Sequence, residues 1–252
     1  GYGNERGVGE GIRTCGLKRE EVFVTTKLDA FIKDYDGTQA AIEGSLERLG
    51  LDYIDLMIIH APQPWTSFRE DDHYFEGNLA AWCAMEKAYK AGRLRAIGVS
   101  NFQQVDIENL LQNGDVRPMV NQILAHVSNT PFPLIDYCRE HDILVEAYSP
   151  MGHGEMMKNR LAQDMANRYG VSVAQLCIRY CLQLNMLPLP KTANPKHMES
   201  NAEVNFEISA QDMEILKNVE RIKNYGEASL FPVYGGKMDE EGNCTPRDFF
   251  KE

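Results

Sequence analysis

Tyr53-Ile54-Asp55-Leu56-Met57-Ile58-Ile59-His60-Ala61-Pro62 is the stretch on which the fold turns. An apolar run of strand length that ends in an imidazole and then meets Pro62 and Pro64 predicts a buried parallel strand delivering His60 to a loop at its carboxyl end. That end is where α/β sheets keep their chemistry.

Upstream of this stretch, residues 4–16 predict a short Gly-rich helix and residues 21–27 a β-branched strand ending on Lys27. Thr38 is expected to cap a helix that carries Ile42, Leu46 and Leu49 on one face and closes at Gly50. Downstream, Leu79, Trp82, Met85 and Tyr89 mark a helix ended by Gly92, and residues 94–99 a strand that runs into Ser100-Asn101-Phe102. A helix with Val105, Leu110 and Leu111 inward stops at Asn113-Gly114. Strands at 119–123, 143–150 and 186–190 alternate with a short helix at 134–141 and with two helical pieces split by Gly170. Ser209 then opens a last helix with Met213 and Leu216 inward. The tail from Asn224, with Phe231, Tyr234, Phe249 and Phe250, has no period and reads equally as a flap over a site or as a tail laid along the surface.

Six strands alternating with helices specify a parallel sheet covered by helices. An open doubly wound sheet needs G-x-G-x-x-G directly after a first strand, and the glycines at 1, 3, 7, 9 and 11 have neither that spacing nor that strand. The expectation is therefore an α/β chain of the (β/α)8 TIM-barrel class. At roughly 30 residues per βα unit, about six of its eight strands are present and the amino-terminal strand, helix and strand are not. Residues 1–252 are expected to form a single domain, with 224–252 as its tail.

Composition narrows the functions. A net charge of −11 over 252 residues argues against nucleic acid and anionic membrane as partners, because phosphate-binding faces need surplus Lys and Arg. No run of about 18 apolar residues is present to span a bilayer. Six cysteines without a C-x-x-C pair suit reduced thiols in a cytoplasmic protein. Cys177 and Cys181 stand one helical turn apart, but no further His or Cys completes a metal site, and core packing is the expected role.

The predicted strand ends carry Lys27, His60, Ser100-Asn101, Gln122, Tyr148-Ser149 and Lys191-Thr192. Taken singly, each has an ordinary structural explanation, but together they are expected to converge on one barrel mouth. The motifs around them run in register through most of the chain. They are Tyr2-Gly3-Asn4-Glu5 with Val8-Gly9, Thr25-Thr26-Lys27-Leu28, Ile59-His60-Ala61-Pro62, Gly98-Val99-Ser100-Asn101-Phe102, Val120-Asn121-Gln122, Ala147-Tyr148-Ser149-Pro150 and Pro190-Lys191-Thr192 through Asn201. This series resembles the aldo-keto reductases, in particular bacterial diketogluconate-reductase-like members.

The resemblance implies NAD(P)H-dependent reduction of an aldehyde or ketone, small or sugar-derived, without a metal. It implies Tyr2 as general acid, Lys27 as the cation beside it, and His60 as the donor that orients the carbonyl. A nearby ammonium is expected to lower the phenol pKa toward the working range. The resemblance further implies that Ser100, Asn101 and Gln122 meet the nicotinamide carboxamide and that Tyr148 stacks on its ring. Ser149 and Met151 would line the pyrophosphate path, and Lys191, Thr192, His197 and Asn201 would hold the adenosine end. The implied cofactor is NADP(H), with NAD(H) also admitted. The implied assembly is a monomer or weak homo-oligomer acting on a small carbonyl substrate.

Three departures from the family pattern matter. The catalytic Asp expected five residues ahead of Tyr2 has no counterpart in this sequence, which leaves either a longer protein or a form that binds nucleotide without turnover, as a sensor or partner subunit. His197 stands where many members carry an arginine for the 2′-phosphate, which predicts weaker preference for NADPH. The long segment 63–78 carries Trp65, Phe68, Tyr74 and Phe75 beside Arg69, Glu70, Asp71 and Asp72, and reads as an apolar wall or a solvated loop.

Overall fold

The structure is a computed structural model and describes residues 2–246. Phe249 and Phe250 of the expected tail lie outside the described residues. The chain divides into two compact units between Asn121 and Gln122.

In the first unit, helix α1 (Glu5–Thr14) leads to strand β1 (Thr25–Leu28), helix α2 (Tyr35–Leu49) and strand β2 (Ile54–Ile59). Helix α3 (Phe75–Lys90), strand β3 (Leu94–Ser100), helix α4 (Gln104–Asn113) and the start of strand β4 (Val120–Leu124) follow. Strands β1, β2 and β3 are parallel, with Leu28 opposite Ile59 and Ile59 opposite Val99. All six residues of β2 are buried, as an apolar run between two neighbours requires. Each of its apolar side chains stabilises the fold by roughly 1.5–3 kcal/mol. His60 follows directly at the carboxyl end, as expected.

Three local expectations are corrected. Strand β1 starts at Thr25, not at residue 21, because Arg19–Glu21 is a 3-10 turn and the Val24 N–H donates to the buried Asp55 carboxylate at 2.9 Å. Helix α2 is capped by Asp34, whose carboxylate accepts from Gly37 N at 2.6 Å, while Thr38 lies inside the first turn with its hydroxyl donating to the Asp34 carbonyl. In α4 the inward residues are Ile107 and Leu110, and Val105 is 40% exposed, since the helix begins at Gln104 and turns position 105 outward.

Strand β3 lies close against the start of β4. A Cβ on Gly98 would stand 2.7 Å from the Val120 carbonyl oxygen, so glycine is needed for this approach. Helix α3 buries Trp82 completely, with its indole N–H donating to the Val116 carbonyl at 2.9 Å.

In the second unit, the rest of β4 is followed by helix α5 (Phe132–Glu140), strand β5 (Leu144–Tyr148) and helices α6 (Arg160–Tyr169) and α7 (Val173–Gln183). Strand β6 (Leu187–Leu189) pairs in parallel with β5, and helices α8 (Pro195–Ala202) and α9 (Ala210–Lys217) complete the ordered run. Cys177 and Cys181 on α7 are fully buried, consistent with core packing, and burial pushes the Cys177 thiol up to about 12. The tail forms two 3-10 turns and a two-residue hairpin, β7 (Lys237–Met238) with β8 (Cys244–Thr245). Among the described residues no helix is long and apolar enough to cross a membrane.

Candidate active site

The first unit brings Tyr2, Lys27 and His60 together around a cavity of about 280 Å³. Strand β1 supplies Lys27, the end of β2 supplies His60, and Tyr2 enters just ahead of α1. The Tyr2 hydroxyl lies 3.4 Å from His60 Nε2, and the Lys27 ammonium lies 5.1 Å from the centre of the Tyr2 ring. The Trp65 ring stands edge-on to the His60 imidazole at 5.0 Å, with Phe68 5.3 Å beyond it. Segment 63–78 is therefore both things the sequence allowed: a buried aromatic wall at Trp65 and an exposed stretch from Arg69 to Asp72. The loop ends at Tyr74, where α3 begins.

The electrostatics correct one expectation. Lys27 was expected to lower the Tyr2 pKa, but desolvation of the hydroxyl in the cavity raises it above the ordinary phenol value. The Lys27 ammonium lies 5.1 Å from the ring centre, and burial governs the shift. Although Tyr2 is 70% exposed as a residue, its hydroxyl is the part turned toward half-buried His60. Burial, with the Lys27 charge adding to it, pushes the His60 pKa down to about 3. The imidazole is neutral at pH 7.

Glu5 is a cavity residue that the sequence reading missed. Its carboxylate accepts from the Thr26 hydroxyl and from Arg48 Nε, each at 2.6 Å, joining α1 to β1 and α2. Burial would raise its pKa, but these hydrogen bonds outweigh it and hold the carboxyl below the usual range. A glutamate in the first turn after Tyr2-Gly3-Asn4 was the available signal.

Ser100 and Asn101 are both buried at the end of β3. Asn101 takes a left-handed conformation (φ 61°), and its Nδ2 donates to the His60 carbonyl at 3.0 Å and to Ser100 Oγ at 3.1 Å. The Asn121 amide holds the Phe102 carbonyl at 3.0 Å. These amides fix the turn after β3 against the turn after β2.

The second unit gathers most of the other expected residues. Buried Gln122 donates through Nε2 to the Glu146 carboxylate at 2.7 Å. Tyr148 ends β5, and Ser149 follows with φ 52°. Ser149 Oγ lies 2.9 Å from the Tyr234 hydroxyl and 3.3 Å from His153 Nε2. Tyr225 reaches the buried His126 imidazole at 3.0 Å. The tail is thus hydrogen-bonded to Ser149 and His126. Met151 precedes the turn Gly152–Lys158.

Lys191 is exposed, yet its charge reaches His153 and, after burial, is the second influence lowering that imidazole. Thr192 Oγ1 accepts from Asn194 N at 3.1 Å, and Asn194 caps α8 by accepting from Lys196 N at 3.0 Å. His197 and Asn201 stand one turn apart on α8, which buries none of its residues. Among the described residues no group of three or more His, Cys, Asp or Glu could hold a metal ion.

Comparison with known proteins places this geometry. The sequence pattern of the Aldo/keto reductase family matches residues 2–221. The chain belongs to the aldo/keto reductases. This aldo/keto reductase is 40% identical over 226 residues to the glyoxal reductase of Bacillus subtilis (strain 168), covering 89% of the chain and 78% of that protein. It is 37% identical over 229 residues to the 9,11-endoperoxide prostaglandin H2 reductase of Trypanosoma cruzi (strain CL Brener), covering 89% and 77%. Its fold matches a Bombyx mori aldo-keto reductase solved in complex with NADP, with a TM-score of 0.79 at 33% identity over 90% of this chain and 78% of that one. A deep-sea metagenome aldo-keto reductase, MGS-M4, matches with a TM-score of 0.80 at 34% identity over 87% and 78%. The α/β class and parallel strand pattern are those of the family's (β/α)8 fold, of which six strands are present here.

Proposed function

We propose that this aldo/keto reductase reduces a small aldehyde or ketone, sugar-derived carbonyls included, with Tyr2 as the proton donor. The observation that carries the reading is the Tyr2 hydroxyl set 3.4 Å from the half-buried imidazole of His60 beside one cavity. A neutral imidazole donates one N–H, and a phenol donates its O–H. Two donors at one point stabilise the charge that grows on a carbonyl oxygen as its carbon is reduced. Tyr2 then gives its proton to that oxygen, with the Lys27 ammonium 5.1 Å from its ring centre. The kinship with a protein named glyoxal reductase supports a small dicarbonyl or aldehyde as substrate.

The residues present fit a dinucleotide. Exposed Lys191, His197 and the capped start of α8 suit an anionic group, and the Ser149 hydroxyl suits a pyrophosphate oxygen. Gln122, Tyr148 and Met151 of the same unit, with Thr192 and Asn201, complete its side of the binding set, and Ser100 and Asn101 are assigned the carboxamide. When bound, the nicotinamide supplies the hydride. Structural relatives solved with NADP and NADPH support NADP(H) as the cofactor, and His197 admits NAD(H) beside it.

Residues 1–252 are read as one barrel domain, supported by a family pattern that runs unbroken through both units. Six cysteines with no disulfide among the described residues support a cytoplasmic setting. The deciding experiment is NADPH oxidation with a panel of small aldehydes and ketones. Tyr2→Phe is expected to lower kcat by about 10²–10⁴ while leaving the NADPH Kd within about threefold. Wild-type turnover by Tyr2→Phe would sink the proton-donor assignment.

A further inference from the structure

The three carbonyls that follow β2 are each held by a buried or nearly buried side chain. Asn101 Nδ2 donates to the His60 carbonyl at 3.0 Å, Lys33 Nζ to the Ala61 carbonyl at 2.8 Å, and Asn78 Nδ2 to the Pro62 carbonyl at 2.8 Å. Lys33 also donates to Asn78 Oδ1 at 2.8 Å, and Asn78 Nδ2 donates to the His73 carbonyl at 3.0 Å. The last two holders are therefore one unit, running from the segment before α2 to the first turn of α3. The approach is close: a Cβ on Gly77 would stand 2.8 Å from the Lys33 carbonyl oxygen.

A segment of irregular backbone buried beside a strand end has no sheet neighbour to satisfy its carbonyls, and Pro62 and Pro64 bring no N–H of their own. An ammonium is a costly way to satisfy such a group, because burial strips it of water. Burial pushes the Lys33 pKa down to about 7, while the carboxylates of Asp106 and Asp29 act to raise it. His73 occupies one oxygen of that Asp106 at 2.7 Å. What the ammonium secures is the chain between His60 and Trp65, whose rings meet edge-on at 5.0 Å.

We propose that Lys33, acting with Asn78, is a positioning residue of the active site: it fixes the Ala61-Pro62 backbone and thereby sets the direction of the His60 imidazole and the seat of the Trp65 ring. Lys33 does not touch the reacting atoms. It acts through Ala61 and Pro62, two of the four residues of backbone that separate His60 from Trp65. The inference rests on the reading of His60 as the donor to the substrate carbonyl, and the experiment is arranged so that each can fail alone.

The wild-type protein, Lys33→Met, Lys33→Gln and His60→Ala are compared in three measurements: the side-chain ¹⁵N signals of His60, carbonyl reduction at saturating NADPH, and NADPH affinity. Lys33→Met is expected to shift and broaden the His60 ring signals and to lower kcat/KM for the carbonyl about tenfold, with NADPH affinity unchanged. Lys33→Gln, which keeps a polar group in the buried site, is expected to give the same pattern and serves if Lys33→Met does not fold. Unchanged His60 signals in a folded Lys33 variant would overturn the proposal, whatever the turnover. If His60→Ala reduces carbonyls as well as the wild type, the reading of His60 falls instead, and the ring signals alone then decide whether Lys33 positions it.

Discussion

In the proposed cofactor site His197, on an exposed helix face, would be a single-point partner where a fixed guanidinium fork would discriminate more strongly. The wild-type ratio of kcat/KM for NADPH over NADH is expected to stay below about a thousandfold, and His197→Arg to raise it about tenfold. Steady-state kinetics with both cofactors checks this, and an unchanged ratio in His197→Arg would remove the residue from the phosphate site. At this scale the sequence showed residues carrying a recognisable motif: Tyr2, Lys27, His60 and the Ser100-Asn101 pair. It did not show Glu5, Lys33 or Asn78. Thr26 lies 21 residues from Glu5 and Asn78 lies 45 from Lys33, and a pattern read along the chain does not register such pairs. The sign of the Tyr2 shift was hidden for a related reason, since it depends on how far folding strips the hydroxyl of water.

Helix α1 carries Glu5 and follows directly on Tyr2, so its seat on α2 is a functional matter. A Cβ on Gly9 would stand 2.0 Å from the Leu49 carbonyl oxygen, well inside contact. Gly9→Ala must therefore lift α1 from the end of α2. The expected loss is about 1–3 kcal/mol in urea unfolding, together with lower turnover than that loss of stability alone explains. An alanine variant with an unchanged midpoint would show that α1 is not held there. Most elements were legible from periodicity and punctuation, β2 above all. The boundaries that slipped did so where a side chain took a backbone group. Asp55 claims the Val24 N–H and delays β1, and Asp34 caps α2 four residues ahead of Thr38. The tail was the least legible element, because its hold on the second unit comes from two hydroxyls, Tyr225 and Tyr234, rather than from any apolar repeat.

Across the molecule, each unit holds an imidazole shifted strongly down: half-buried His60 in the first, to about 3, and buried His126 in the second, to about 4, both by desolvation first. In the unfolded chain each takes its proton near 6.5. The unfolded state therefore binds more protons below that value, and stability falls as pH drops from 6.5 through the folded pKa values. For His126 alone the loss is on the order of 3 kcal/mol once pH is below its folded pKa. If residues 1–252 are one domain, calorimetry is expected to show a single transition whose midpoint falls over this window, less steeply in His126→Gln. Two transitions would separate the units.

Both tryptophans of the chain, Trp65 and Trp82, are buried in the first unit. Tryptophan emission is thus an optical label that nature has placed on one half only. Excited selectively, the protein reports the surroundings of His60 and the packing of α3, while the half that carries Lys191 and α8 stays dark. Comparing that emission with a signal from the whole backbone, such as far-ultraviolet dichroism, reads the halves separately without attaching a dye.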